Sequence, residues 1–112
     1  MEAKEKNIIK LKIGLCIQKL IAQQNEVKSV EVHKTISSLR KLAASSAVEF
    51  AIIQKIASGK RNPALSTLVA ICEGFGISTA ELFALYDNIT DKELQHKIEE
   101  IKKKKTKKKK KS

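Results

Sequence analysis

Three cations fall close together in the middle of the chain: Lys55, Lys60 and Arg61. Ammonium and guanidinium groups gathered in this way hold anionic oxygens by charge-assisted hydrogen bonds, Arg through its planar fork and Lys as a point charge. The same side chains can also be a plain solvated face, and both readings stand at this level. A second store of charge closes the chain, where KKKKTKKKKKS places nine lysines within ten positions. Such a run adds phosphate affinity or serves only as a solubilising end.

Other chemistry lacks its parts. Cys16 and Cys72 are far apart with no CxxC spacing, and His33 and His96 are just as isolated, so no zinc or other metal site is expected. Both cysteines sit in apolar helical contexts and are expected as reduced residues of a cytoplasmic protein. Paired carboxylates with a positioned neighbour, an activated Ser or Cys and a Gly-rich phosphate loop are all missing from the pattern, so neither an enzyme nor a cofactor is expected. The N-terminal MEAKEKN is charged, and no apolar run long enough for a signal sequence or a membrane span follows it.

The net charge of +11 points to an anionic polymer or surface as partner. Residues 91–112 contribute +7 of it, from 11 lysines against Asp91, Glu93, Glu99 and Glu100, which leaves +4 for residues 1–90. At 112 residues, the chain is expected to form one domain over 1–90, followed by a C-terminal helix and Lys-rich tail over 91–112. With only 4% aromatics, the core must be built from Ile, Leu, Val and Ala.

Helical periodicity organises the chain. Ile9, Ile13, Ile17, Leu20 and Ile21 recur at spacings of three and four, which predicts a helix over 8–24 with Asn25 as a stop. Leu11, Leu15, Cys16 and Ile21 exceed what one core face needs; either the 26–36 segment covers them or they form a dimer contact. In 26–36, Val30 and Val32 alternate with charges, compatible with a short strand, a loop or a prolonged helix. Ser38 caps a helix from Leu39 to about Ser45 with Leu39, Leu42 and Ala43 inward, and a tight turn at Ser46-Ala47-Val48 leads into a third helix over 49–57. Gly59 ends that helix, and Asn62-Pro63 permits a new start at Ala64. Leu65, Leu68, Val69, Ile71 and Cys72 form the apolar side of a fourth helix, closed by Gly74 and Gly76. Ser78 with Glu81, and Thr90 with Glu93, are capping boxes that open a fifth helix through Leu82, Phe83 and Leu85 and a sixth with the stripe Leu94, Ile98, Ile101. The lysine run beyond is expected to be disordered when free.

Residues 13–24 and 38–83 resemble the Cro/phage-repressor-like (XRE) helix-turn-helix family. Leu42-Ala43 match the Leu-Ala pair of the first motif helix, Val48 the buried position after the turn, and Ile53 and Ile56 the inward positions of the next helix. Gly59-Lys60-Arg61-Asn62-Pro63 is close to the family's G-K-x-x-P segment, and Gly76-Ile77-Ser78 through Glu81-Leu82-Phe83 matches its ending. Ala47 stands where the family usually has Gly, Leu39 where it has Gln, and Glu49 where it has Ser or Thr.

The resemblance implies an all-α, five-helix DNA-binding domain that enters the major groove with helix 49–57. By the same implication Phe50, Ala51, Gln54 and Lys55 approach base edges, and Glu49 opens the recognition helix. Ser58, Lys60, Arg40, Arg61 and Asn62 hold phosphates, and Ser38 lies near a phosphate at the preceding helix's N-terminus. Phe50 is either such a contact or a lid against Val48 and Leu39. The expected function is a sequence-specific regulator, a small repressor that binds double-stranded DNA as a homodimer. The alternative is an antitoxin-like or other protein-interaction module, for which the first helix and the Leu94-Ile98-Ile101 stripe would bind a protein partner. A general RNA binder carried by the tail is weaker, because three of the four aromatics Phe50, Phe75, Phe83 and Tyr86 are expected to be buried.

Overall fold

A computed structural model describes residues 3–26 and 36–110, and those residues form six α-helices with no strand. They are α1 (Ala3–Glu26), α2 (Leu39–Ser46), α3 (Phe50–Ala57), α4 (Leu65–Phe75), α5 (Thr79–Asp87) and α6 (Asp91–Lys110). The class is therefore all-α. Helix α1, about 36 Å long at 1.5 Å per residue, is the spine. It packs against α3, α5 and α6, while α2 packs on α3 and α4.

The core is aliphatic, with Ile17, Leu42, Ile53, Ile56, Ile71 and Leu82 fully buried. Each contributes about 1.5–3 kcal/mol by leaving water. No polar or charged side chain among the described residues is buried, so the interior carries no desolvation cost that a partner must offset.

Local chemistry fixes the ends. Ser38 Oγ accepts the Lys41 amide at 3.1 Å and so caps α2. Ser78 and Glu81 form the full capping box of α5, and Thr90 and Glu93 repeat it at α6, with the Glu93 amide donating to Thr90 Oγ1 at 3.1 Å and Glu93 accepting the Thr90 amide at 3.4 Å. Helices α3 and α4 close by the same device. Lys60 N–H reaches Lys55 O and Gly59 N–H reaches Ile56 O; likewise Ile77 N–H reaches Cys72 O and Gly76 N–H reaches Glu73 O. This paired closure needs a left-handed residue, supplied by Gly59 at φ +78° and Gly76 at φ +76°.

Several expectations require correction. The lysine run, expected to be disordered, continues α6 as far as Lys110. The Thr90–Glu93 box nucleates that helix and its first turns pack on α1, so each added residue gains a backbone hydrogen bond at no new nucleation cost. Lysine is a good helix former, and cations near a C-terminus suit the helix dipole. Helix α1 passes Asn25 and ends at Glu26. Glu49 is the N-cap of α3 rather than its first helical residue, with no side-chain capping bond. Gly74 lies inside α4, where a Cβ would fall 2.9 Å from that of Ser46, so it permits close approach of α2 instead of ending the helix.

Leu65 and Val69 fall in the fourth helix as expected but are exposed at 72% and 37%, because the buried side of α4 is Leu68, Ile71, Cys72 and Phe75. Of the aromatics, Phe75 is buried while Phe83 is 40% exposed and Phe50 and Tyr86 are half-buried, so the expectation of three buried rings fails. The surplus apolar side of α1 is covered within the chain. Leu11 and Cys16 are buried, Leu15 and Ile21 pack half-buried on the core, and α5 and α6 lie against the helix. Val30, Val32 and His33 lie outside the described residues. Among the described residues no single helix is long and apolar enough to cross a membrane.

Candidate nucleic-acid interface

Helix α3 has eight residues, and their period divides them cleanly. Ile53, Ile56 and Ala57 are buried, whereas Ala51, Gln54 and Lys55 are exposed on the opposite side. The turn before it is made by Ala47, which adopts the left-handed conformation at φ 60°, and by Ser46, whose hydroxyl accepts the Val48 amide at 3.3 Å. Exposed Glu49 then leads into the helix. Across that turn the Arg40 guanidinium lies 4.2 Å from the centre of the Phe50 ring, a cation–π contact worth about 0.5–1 kcal/mol at an exposed site. The ring and the cation thus occupy each other, which joins α2 to the start of α3.

The exit of α3 is tied down by one carbonyl. Lys55 O accepts the amides of Lys60 at 2.9 Å and Arg61 at 3.2 Å, together with the Ser58 hydroxyl at 3.1 Å. Three sequence-predicted cations are therefore held on one short, closed backbone unit. Lys60, Arg61 and Asn62 are all exposed there. The Ser58 hydroxyl proton is engaged internally, so Ser58 is free to accept rather than to donate.

No family model, curated protein or solved structure matches the chain.

Beside α3 lies an open groove of about 680 Å³, lined on one wall by Gln54, Lys55, Ser58 and Lys60 and on the other by Gln18, Ile21 and Lys97. The second wall was not anticipated from sequence. Gln18 donates its amide to Ala57 O at 2.8 Å and so satisfies a carbonyl at the end of α3 from α1. A polar residue amid the apolar periodicity of α1 was the one available signal. Lys97 reaches the groove because α6 folds back on α1, a long-range fact that no local pattern carries.

Ser38 and Arg40 do not line the groove, although Leu39 between them does. Ser38 Oγ is occupied in capping, while Arg40 is exposed. Cation chemistry, with Gln54 as a two-way hydrogen-bonding group, is what this surface offers. Among the described residues no three His, Cys, Asp or Glu side chains gather as a metal-holding group. The thiols are buried and free: burial pushes Cys16 up to about 11 and raises Cys72 as well.

Proposed function

We propose that this protein is a sequence-specific DNA-binding regulator, a small repressor, that lays α3 in the major groove as a helix-turn-helix. One observation carries the reading. The outward residues Ala51, Gln54 and Lys55 share a closed unit with Lys60 and Arg61, so base-reading and phosphate-holding groups are fixed relative to one another. The sequence resemblance to the Cro/phage-repressor-like family supports the same assignment.

In this reading Lys55 donates to guanine O6 and N7, Gln54 pairs with adenine, and Ala51 with the Phe50 ring edge meets thymine methyl groups. Lys60, Arg61 and Asn62 position the unit on one phosphate strand, and Arg40 with the amides at the start of α2 holds the next. Glu49 is repelled by phosphate and can only accept, as from cytosine N4. The protein acts as a homodimer on paired half-sites. In this reading its contact lies away from the apolar side of α1, against which α3, α5 and α6 pack. Among the described residues, Leu65, Val69 and Phe83 are the large apolar side chains left exposed.

Those same residues favour a second reading, a protein-interaction module, because Leu65 at 72% exposure has no internal role. Selection from a random duplex library at about 150 mM salt separates the two, run with the intact chain and with residues 102–112 removed. A shared palindromic motif from both establishes the regulator. No enrichment, with binding lost along with the tail, leaves the protein-partner reading.

A further inference from the structure

We propose that α6 is a second phosphate-binding element of this interface: Lys97 joins Lys60 in gripping one strand of duplex DNA beside the base-reading Lys55, and the helix beyond Ile101 follows the flanking backbone. The proposal rests on the DNA-binding reading above. Its starting point is the groove, whose lining brings Lys97 together with Lys55 and Lys60 and, among the described residues, includes no carboxylate. The nearest acid one turn before it, Glu93, is already bound by Lys19 and by Thr90. Glu100, further along, has its Oε1 3.2 Å from His96 Nε2.

The rotation of α6 is not free. Leu94 is buried and Ile98 and Ile101 are half-buried, and the helix packs on α1 with the Lys19–Glu93 ion pair across the contact. The backbone of Lys97 is thereby held at the groove's rim by packing, so its ammonium ranges only over that side of the helix. From Lys97 to Lys110 the helical backbone extends about 20 Å at 1.5 Å per residue. That distance spans about six base pairs at 3.4 Å each. No acid follows Glu100 in the sequence, and lysine fills every position from 102 to 111 except Thr106. A rod of that length and sign complements one flank of a duplex.

The full chain tests this by fluorescence anisotropy on a labelled random-sequence duplex of about 30 base pairs, titrated between about 50 and 200 mM KCl. Lys97→Gln should lower the salt slope by about 0.9, so that affinity falls about 3.5-fold less over that range. Lys92→Gln removes the same charge at the far end of α6, away from the groove, and should leave the slope unchanged. Thr106→Pro breaks the helical run without altering charge, and should shorten by about two base pairs (about 7 Å of helix beyond the break) the smallest duplex bound at full affinity. Equal effects of Lys97→Gln and Lys92→Gln, or an unchanged minimal duplex for Thr106→Pro, overturn the proposal. Lys55→Gln and Lys60→Gln distinguish the two levels. If they weaken binding while Lys97→Gln does not, only the role of α6 falls. If they too have no effect, the DNA-binding reading falls with it.

Discussion

Gly14→Ala sets two effects of opposite sign against each other. In an exposed helix interior, Gly to Ala stabilises by about 1 kcal/mol. Here a Cβ on residue 14 would lie 2.6 Å from Ala57 O and 2.9 Å from Ile56 O, where ordinary contact begins near 3.4 Å. Helix α1 and the end of α3 must therefore separate by about 0.8 Å on the first contact, and both obstructing atoms are backbone. Those carbonyls are also engaged, Ala57 O by the Gln18 amide and Ile56 O by Gly59 N–H. Overpacking costs about 1–3 kcal/mol, and a weakened hydrogen bond adds up to about 1 kcal/mol. The balance is a net loss of about 1–2 kcal/mol, or about 5–10 °C in Tm for a domain of this size. Urea unfolding followed by circular dichroism reads the sign directly. A Gly14→Ala chain more stable than wild type would refute the close approach and leave helix propensity in command.

Four other outcomes follow from the same geometry. Ala47 holds φ 60° without being glycine, at a cost of about 1–2 kcal/mol. Ala47→Gly should therefore stabilise by about 0.5–1 kcal/mol after the added unfolded-state entropy, and a lower urea midpoint would contradict this. Burial holds the Cys16 thiol protonated to about 11. Because the unfolded chain loses that proton near pH 9, stability should be full below pH 9 and fall by about 2–3 kcal/mol towards pH 11; Cys16→Ala should flatten the decline. The hydrogen bond from Lys19, with help from Thr90, holds the Glu93 carboxyl below its ordinary value. Its contribution is present above the unfolded carboxylate range and is lost as the pH falls below that range through the lower folded value, so Glu93→Gln should narrow the gap in Tm between pH 7 and pH 3. On DNA, Lys55→Ala should reduce discrimination between selected and random duplexes, whereas Lys60→Ala should weaken both alike. Equal losses for the two variants would remove the division of labour.

What the sequence disclosed is what depends on near neighbours. The boxes at Ser78–Glu81 and Thr90–Glu93 and the closure at Gly59 involve residues three to five apart, and all three are present as anticipated. The inward positions Leu42, Ile53 and Ile56 follow from helical period alone and are fully buried. Errors arose where a distant element decides. Gly74 resembles a stop until Ser46 is seen against it. Leu65 fits an apolar stripe, yet its side of α4 meets no other helix closely enough to bury it. The surplus apolar residues of α1 left cover by the 26–36 segment and a dimer contact both open, because α5 and α6 could not be foreseen lying on them. For the lysine run, mutual repulsion competes with propensity and with a helix already nucleated upstream, and the sequence gives no way to weigh these terms. On the candidate site, the α3 wall was legible and the Gln18–Lys97 wall was not.

Helix α3 is too short to hold its own conformation, since isolated helices of fewer than about 12–15 residues are marginal in water. Its eight residues are shaped from outside. Ala47 and the Arg40–Phe50 contact set its entry, Gln18 and the close pass of Gly14 set its end, and Lys55 O fastens the loop that carries Lys60 and Arg61. A substitution at any of these supports displaces Gln54 and Lys55 together, so under the proposed function it should weaken DNA binding in proportion to lost geometry, even where it touches no DNA. Gln18→Ala isolates this effect. It removes one hydrogen bond, costing about 1 kcal/mol of stability, and leaves every charge in place. Its salt slope on duplex DNA should therefore equal that of wild type while its affinity for a selected site falls. An altered slope with unchanged site preference would mean that Gln18 acts on the phosphate grip rather than on the pose of α3.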